Sequence, residues 1–254
     1  MKKATVKNIG DFLNRVLRVR QIKDASANGL QVRSRNKGTI GTVGFAVDAC
    51  IPTFEKAAEQ GVDLLVVHHG ITWRPQKDKV LAERRKAYLG KHHMALYAAH
   101  LPLDLHGEYG NNVRLARVLD LRRIRKFGRY HGITIGWAGA LAKATSLESV
   151  AGTLNGTLKT RCAIHRFGKE RIRTIGIVSG GGGDMVADAA SRKIDCFLTG
   201  EIDLASYNTA REYGVSLIAA GHYATETVGV KALMPLVAET FGVETVFIDD
   251  PKRV

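Results

Sequence analysis

Two adjacent histidines close a short apolar segment in the first third of the chain. The segment Val62–Val67 is rich in Val and Leu, and His68, His69 and Gly70 follow it directly. Such a run stopped by glycine is typical of a buried strand with a turn at its carboxyl end. Open α/β sheets bind ligands at that end, so we expect both imidazoles to face a binding site. A surface pair, or one capping histidine, would give the same dipeptide.

Two further apolar runs end in histidine and supply a carboxylate a few residues later. The pairs are His100 with Asp104, and His222 with Glu226. If a helix opens near residue 224, Glu226 lies in its first turn, close to His222. Imidazole and carboxylate groups without cysteine suit Zn, Fe, Mn, Ni or Co rather than an iron–sulfur cluster. Three predicted strand ends therefore carry metal-ligand residues, and two metal ions are the simplest use for them.

The same alternation of strands and helices occurs in both halves of the chain. The predicted strands are 39–48, 62–67, 94–99, 173–179, 194–198, 215–220 and 244–248, and the predicted helices between them are 52–60, 79–89, 184–191, 206–213 and 225–241. This order indicates an α/β fold of two similar three-layer α/β domains, arising by internal duplication, with the dimetal site in the cleft between them. We place the domains at residues 1–125 and 126–254, with the option that the C-terminal helix and strand pack back on the first.

Three segments give weaker structural signals. The N-terminal stretch from Ile9 to Leu17 has apolar residues at helical spacing and predicts an amphipathic helix. Between Gly128 and Phe167 we expect short strands around a helix that starts at Ser146. The run Gly180–Gly183, with Asp184 as the expected N-cap of the next helix, would either cradle a phosphate or form a tight turn.

Composition and charge limit the classes of function. The chain has 254 residues, 45% of them hydrophobic, and no apolar run near the ~20 residues of a membrane span. Its three cysteines are far apart and its N-terminus lacks an apolar signal core, so we expect a cytoplasmic protein. The net charge of +14 would attract phosphates, from small anions to nucleic acid, or would simply be solvated. The densest cluster is Leu121–Phe127, here called the basic segment.

Taken in order, these residues resemble the NIF-three-like dinuclear metal-centre proteins, some of which are known as GTP cyclohydrolase I type 2 homologues. The resemblance covers about residues 6–250. Its carriers are Asn28–Gln31, Val47–Asp48, His68–Gly70, His100–Asp104, Asn111–Asn112, Ser179–Gly182, Leu198–Glu201 and Gly221–Glu226. The chain departs from the family at Ala25–Ala27, where many relatives carry Trp-Asp, and at Gly70, where many carry Pro; both departures spare the ligands.

The resemblance implies a site and an assembly. The metal ligands of the family fall on His68, His69, Asp104, His222 and Glu226. It implies two divalent ions per chain, with Glu226 as the bridging carboxylate and Asp104 completing one site. It also implies a homohexameric ring, a trimer of dimers, with the metal sites facing its interior.

Two functions are compatible with this resemblance. The first is a dinuclear-metal-dependent hydrolase that acts on GTP or another phosphorylated substrate, with His100 as a catalytic proton shuttle. The other role open to His100 is to orient Asp104 through a hydrogen bond. The second function is non-enzymatic: a metal-binding ring scaffold that binds nucleic acid or protein partners, or that takes part in metal handling.

Overall fold

The computed structural model describes residues 3–33 and 38–252. Within these ranges the strands are β1 Gly29–Val32, β2 Thr42–Asp48, β3 Leu64–His69, β4 Ala95–Ala98, β5 Arg122–Tyr130, β6 Ile133–Thr145, β7 Ala163–His165, β8 Ile172–Val178, β9 Cys196–Thr199, β10 Ser216–Ala219 and β11 Glu244–Phe247. The helices are α1 Val6–Val16, α2 Ile51–Glu59, α3 Lys79–Lys91, α4 Leu101–Asp104, α5 Asn111–Val118, α6 Leu147–Leu158, α7 Val186–Ser191, α8 Leu204–Tyr213 and α9 His222–Phe241. The N-terminal segment, in which the sequence shows no apolar signal core, lies partly outside the described residues.

The chain divides into two compact units. The first contains the chain up to Leu103 together with Val230–Asp250, and the second contains Asp104–Gly229. The division therefore lies earlier than residue 125, where the sequence places it. Helix α9 begins in the second unit and ends in the first, so that β11 pairs with β2 in the first sheet.

The first unit is built on a five-stranded sheet in the order β1-β4-β3-β2-β11. Strands β2, β3 and β4 run parallel, and their side chains are almost all buried because helices cover sheets of this kind on both faces. Phe54 of α2 and Leu89 of α3 are fully buried in the core beside this sheet. The register pairs Asp48 with His69, so a carboxylate and an imidazole end neighbouring strands.

The second unit is a six-stranded sheet in the order β5-β6-β8-β9-β10-β7. Its three central strands, β8, β9 and β10, are also parallel and consecutive. In both units the strand that precedes the parallel set pairs antiparallel with its last member: β1 with β4, and β7 with β10. The predicted α/β class with two sheets is confirmed, and this shared arrangement supports the predicted duplication.

Three local predictions need correction. Before the helix, the region from Gly128 holds part of a long hairpin of β5 and β6 instead of a short strand. The short strand β7 does follow the helix, and Ser146 caps α6 as predicted. Asp184 lies in a turn of 3-10 helix, Gly183–Met185, and α7 starts only at Val186 without a side-chain cap. Helix α9 begins at His222 rather than near Thr225.

The described helices include none that combines the length and the apolar character needed to cross a membrane.

Candidate functional site

Three histidines of the first unit converge where β3 and β4 end. His68 and His69 are the last residues of β3, and His100 follows β4 after one turn residue. The ring centroids lie 4.6 Å apart for His68 and His69, 5.1 Å for His68 and His100, and 5.7 Å for His69 and His100. One ligand atom from each of the three lies within 4.8 Å of the other two. The predicted convergence of these side chains is thus present within the first unit.

Each of these histidines has its Nδ1 atom held by an oxygen acceptor. His68 Nδ1 lies 2.9 Å from the carbonyl oxygen of Ala99, and His69 Nδ1 lies 2.8 Å from Asp48 Oδ1. Because a carbonyl oxygen only accepts, His68 donates from Nδ1, and the neutral ring then carries its lone pair on Nε2. Histidines that bind metals are oriented in this way, with the second nitrogen bonded to a carbonyl or a carboxylate.

The partner of His100 is Asp24, a residue that the sequence did not single out. His100 Nδ1 lies 3.0 Å from Asp24 Oδ1, and the backbone N–H of His100 donates to Asn28 Oδ1 at 2.7 Å. The Asp24 carboxylate also accepts from the N–H groups of Ser26 and Leu101. Burial opposes ionisation of Asp24, but the hydrogen bond from His100 outweighs it together with the other donors, and the pKa falls to about 2. The bond from the Ser26 N–H makes this an Asx-type turn, a motif too common in polar loops to mark Asp24 as a functional residue from the sequence.

In the second unit Asp104 is a buried carboxylate in a hydrogen-bonded setting. The residue is 6% exposed, and its side chain lies among polar groups. Asp104 Oδ1 accepts from Asn111 Nδ2 at 2.8 Å and lies 3.4 Å from Ser179 Oγ. Asn111 Oδ1 in turn accepts from the backbone N–H of Gly229 in helix α9. Asn111 therefore ties the Asp104 carboxylate to the helix that carries the other predicted ligands.

His222 and Glu226 are one helical turn apart because α9 starts at His222. His222 Nε2 lies 3.3 Å from Glu226 Oε1, and His222 Nδ1 lies 3.2 Å from Glu201 Oε1. The hydrogen bond to Glu226, with a smaller contribution from Glu201, raises the pKa of His222 to about 9 in spite of burial. Glu226 is 3% exposed, whereas Glu201 is exposed. Two carboxylates thus favour positive charge at this imidazole, where a cation would also be favoured.

The glycine run after β8 lies directly against this pair. Gly180 has a positive φ of +63°, and a Cβ atom there would collide with Glu226 Oε1 and approach His222 Nε2 to 3.0 Å. The Gly180 N–H donates to Thr225 Oγ1, and its carbonyl oxygen accepts from the Gly200 and Glu201 N–H groups. These contacts favour the tight-turn interpretation at Gly180. The loop adjoins both carboxylates, because Ser179 contacts Asp104 and a side chain at Gly180 would collide with Glu226.

Comparison with known proteins gives consistent matches over almost the whole chain. The family model described as Duf34/NIF3 (NGG1p interacting factor 3) matches residues 4–253. A protein of Pyrococcus abyssi named GTP cyclohydrolase 1 type 2 homolog is 45% identical, covering 96% of this chain and 97% of its own. The crystal structure of TTHA1606 from Thermus thermophilus superposes with a TM-score of 0.86 at 37% identity, covering 98% of this chain and 99% of its own. The structural-genomics protein ybgI, of unknown function, superposes with a TM-score of 0.88 at 30% identity, covering 100% of both chains. The chain belongs to the Duf34/NIF3 family.

Proposed function

We propose that this protein is a dinuclear-metal-dependent hydrolase, similar to GTP cyclohydrolase 1 type 2, that acts on a nucleotide or another phosphorylated substrate. The observation that carries the proposal is the orientation of the histidines at the end of β3. His68 and His69 have their Nδ1 atoms bonded to a carbonyl oxygen and a carboxylate, which leaves the lone pair of a neutral ring on Nε2. The names of the relatives support the substrate class.

The donor set of each unit fits divalent ions such as Zn, Fe, Mn, Ni or Co. The proposed ligands are His68 and His69 in the first unit, and Asp104, His222 and Glu226 in the second. Asp104 and Glu226 are buried carboxylates that a cation would neutralise, which offsets the penalty for keeping such charges away from water. When bound, two such ions would lower the pKa of a coordinated water and neutralise charge on the substrate.

The remaining residues orient these groups and move protons. Asp48 holds the ring of His69, and Asn111 holds the carboxylate of Asp104. Asp24 accepts from His100 Nδ1, so the neutral His100 ring carries its lone pair on Nε2. A histidine oriented by a carboxylate in this way can take a proton at Nε2 and return it, which is the general acid–base role we assign to His100.

A turnover screen on metal-loaded protein tests this proposal. GTP, phosphoesters and peptides are offered to protein reconstituted with each of the five metals, and products are separated by chromatography. We expect a metal-dependent product from a nucleotide or phosphoester, and elemental analysis should give about two ions per chain. Glu226→Gln should abolish the activity, whereas the matched change Glu201→Gln at an exposed carboxylate should retain most of it. The absence of product with every metal, or fewer than two ions at saturation, would refute the proposal.

One observation favours the second function, a scaffold that binds nucleic acid. The basic segment forms the first half of β5, which lies at the edge of the second sheet, and residues 122–126 are all exposed. An exposed row of cations on an edge strand attracts the phosphate backbone of nucleic acid independently of the base sequence. A hexameric ring would repeat this strand six times and so multiply the attraction.

A further inference from the structure

A cavity of about 440 Å³ lies in the first unit, between the segment that follows β3 and helix α3. Its lining combines apolar, aromatic and basic side chains, among them Ile71, Ala82, Trp73, Arg74, Lys77 and Arg85. Volumes of roughly 300–1,000 Å³ are typical of small-molecule sites in proteins. None of these residues belongs to the proposed ligand set.

The walls of the cavity are held by hydrogen bonds within the first unit. The indole N–H of Trp73 donates to the carbonyl oxygen of Gly70 at 2.8 Å, and its backbone N–H donates to Gln76 Oε1 at 2.9 Å. Gln31 Oε1 accepts from the N–H groups of Ile71 and Thr72, at 2.7 and 3.0 Å. The indole of Trp73 therefore has a defined position before any ligand binds, which reduces the entropy lost on binding.

Arg85 supplies a cation whose Nε–H group lacks an acceptor among the described residues. Its Nε atom is buried, and no described residue accepts a hydrogen bond from it. A buried N–H of a guanidinium that has no acceptor is destabilising, and an anionic oxygen in the cavity would provide the missing partner. Asp78, the acidic residue of the cavity wall, has Oδ1 engaged by the N–H of Leu81 at the start of α3. The basic side chains of the wall thus exceed the acidic ones.

Trp73 connects the cavity with the histidines. Its ring centroid lies 5.0 Å from that of His100 in an edge-on arrangement and 6.3 Å from that of His69. A flat ligand against the indole would therefore lie next to the proposed catalytic side chains. An aromatic side chain and a guanidinium with a buried N–H in one cavity match a molecule with one aromatic ring system and one anionic group.

We propose that this cavity binds a mononucleotide, with the base against Trp73 and the phosphate on Arg85. Because the cavity lies beside the histidines, the mononucleotide is proposed as a substrate of the hydrolase. That catalytic role rests on the proposed function. The binding itself requires neither a metal nor turnover, so it can be tested separately.

Calorimetric titration with GMP and with guanosine tests the assignment of the two halves of the ligand. We expect GMP to bind more tightly than guanosine by about tenfold or more, the usual effect of a charge-assisted hydrogen bond. Arg85→Ala should remove this difference, and Arg85→Lys should reduce it, because lysine keeps the charge but not the N–H geometry. Arg84→Ala is the matched control: Arg84 is exposed on the same helix and does not line the cavity. Equal affinities for GMP and guanosine, or an unchanged GMP affinity in both Arg85 variants, would overturn the proposal.

Intrinsic fluorescence locates the base. The chain has two tryptophans, so Trp137→Phe leaves Trp73 as the reporter, and GMP should quench its emission. Repeating the titration with a chelator present separates the cavity from the metal site: we expect GMP affinity to change by less than about twofold, far below the tenfold effect of a charge-assisted bond. Loss of GMP binding with the chelator, or no quenching in Trp137→Phe, would contradict the assignment. If no metal-dependent product is found while GMP binding still requires Arg85, the hydrolase proposal fails and the cavity proposal stands.

Discussion

Replacing Asp24 with asparagine should destabilise the first unit, because this carboxylate accepts hydrogen bonds on both oxygens. Oδ1 accepts from the Ser26 N–H at 3.1 Å, and His100 Nδ1 lies 3.0 Å from Oδ1 and 3.1 Å from Oδ2. Oδ2 accepts from Asn28 Nδ2 at 2.8 Å and from the Leu101 N–H at 2.9 Å. The side chain of Asp24 is 1% exposed, so water cannot take over these contacts.

The size of this loss of stability follows from the geometry of the amide group that replaces the carboxylate. His100 keeps an acceptor in either orientation of Asp24→Asn, because its Nδ1 lies near both oxygen positions. The NH2 group faces either the Ser26 N–H, or the Asn28 and Leu101 donors, and leaves them without an acceptor. At about 1–1.5 kcal/mol for each lost bond, we expect a decrease of about 1–3 kcal/mol in the free energy of unfolding. Asp11→Asn is the matched control, because the Lys7–Asp11 ion pair is exposed and should contribute less than ~1 kcal/mol.

The pH dependence of the same variant provides a second test. The pKa of Asp24 is about 2 in the folded protein, below the ~3.9 of an unfolded chain. A lowered pKa stabilises the folded state above the unfolded value, and that contribution is lost as the pH falls through about 2. The difference between wild type and Asp24→Asn should therefore be full above about pH 4 and shrink toward pH 2. Urea denaturation with a chelator present, at several pH values, measures it. A difference below ~0.5 kcal/mol at neutral pH, or one that does not change down to pH 2, would refute the reasoning.

Three further predictions concern metal, nucleic acid and assembly. Glu226→Gln should weaken the binding of both ions together, because a neutral amide bridges cations poorly, whereas His100→Ala should leave metal occupancy largely intact. Calorimetric metal titration of each variant measures this, and equal losses of metal affinity would contradict the ligand assignment. Oligonucleotide affinity should fall steeply with salt, and replacing the four cations of the basic segment should reduce that slope in fluorescence anisotropy; no binding at low salt would contradict a nucleic-acid role. Light scattering at several concentrations should give the mass of a hexamer, and a stable monomer that retains its metals would exclude the ring.

The strand ends could be predicted because buried parallel strands have a simple sequence signal. Val, Leu, Ala and the buried Tyr97 fill both faces of β3 and β4 before the histidines, so the first histidine after each run marks the carboxyl end of the strand. His68, His69 and His100 therefore stand out from the sequence. The hairpin of β5 and β6 was harder to predict, because the exposed first half of edge strand β5 lacks the apolar alternation of a half-buried strand.

The groups that orient the ligands could not be predicted in the same way. Asp24 and His100 are separated by 76 residues, and Asp48 and His69 by 21, so their pairing depends on sheet order and loop conformation. An aspartate in a polar loop is ordinary when taken alone, and only the folded chain shows that its oxygens meet the N–H of a site histidine.

The start of α9 shows how one backbone residue changes the chemistry of a pair. Gly221 has a positive φ of +87°, which lets the chain turn at once after β10, so the helix begins at His222. His222 and Glu226 then occupy positions i and i+4 on one helix face rather than a strand end and a first turn. The glycine at 180 is needed for the same reason on the opposing loop, where any side chain would collide with the Glu226 carboxylate. Glycine at 221 thus allows the helix to start at His222, and glycine at 180 leaves room for the Glu226 carboxylate, so both support the geometry of the two predicted ligands.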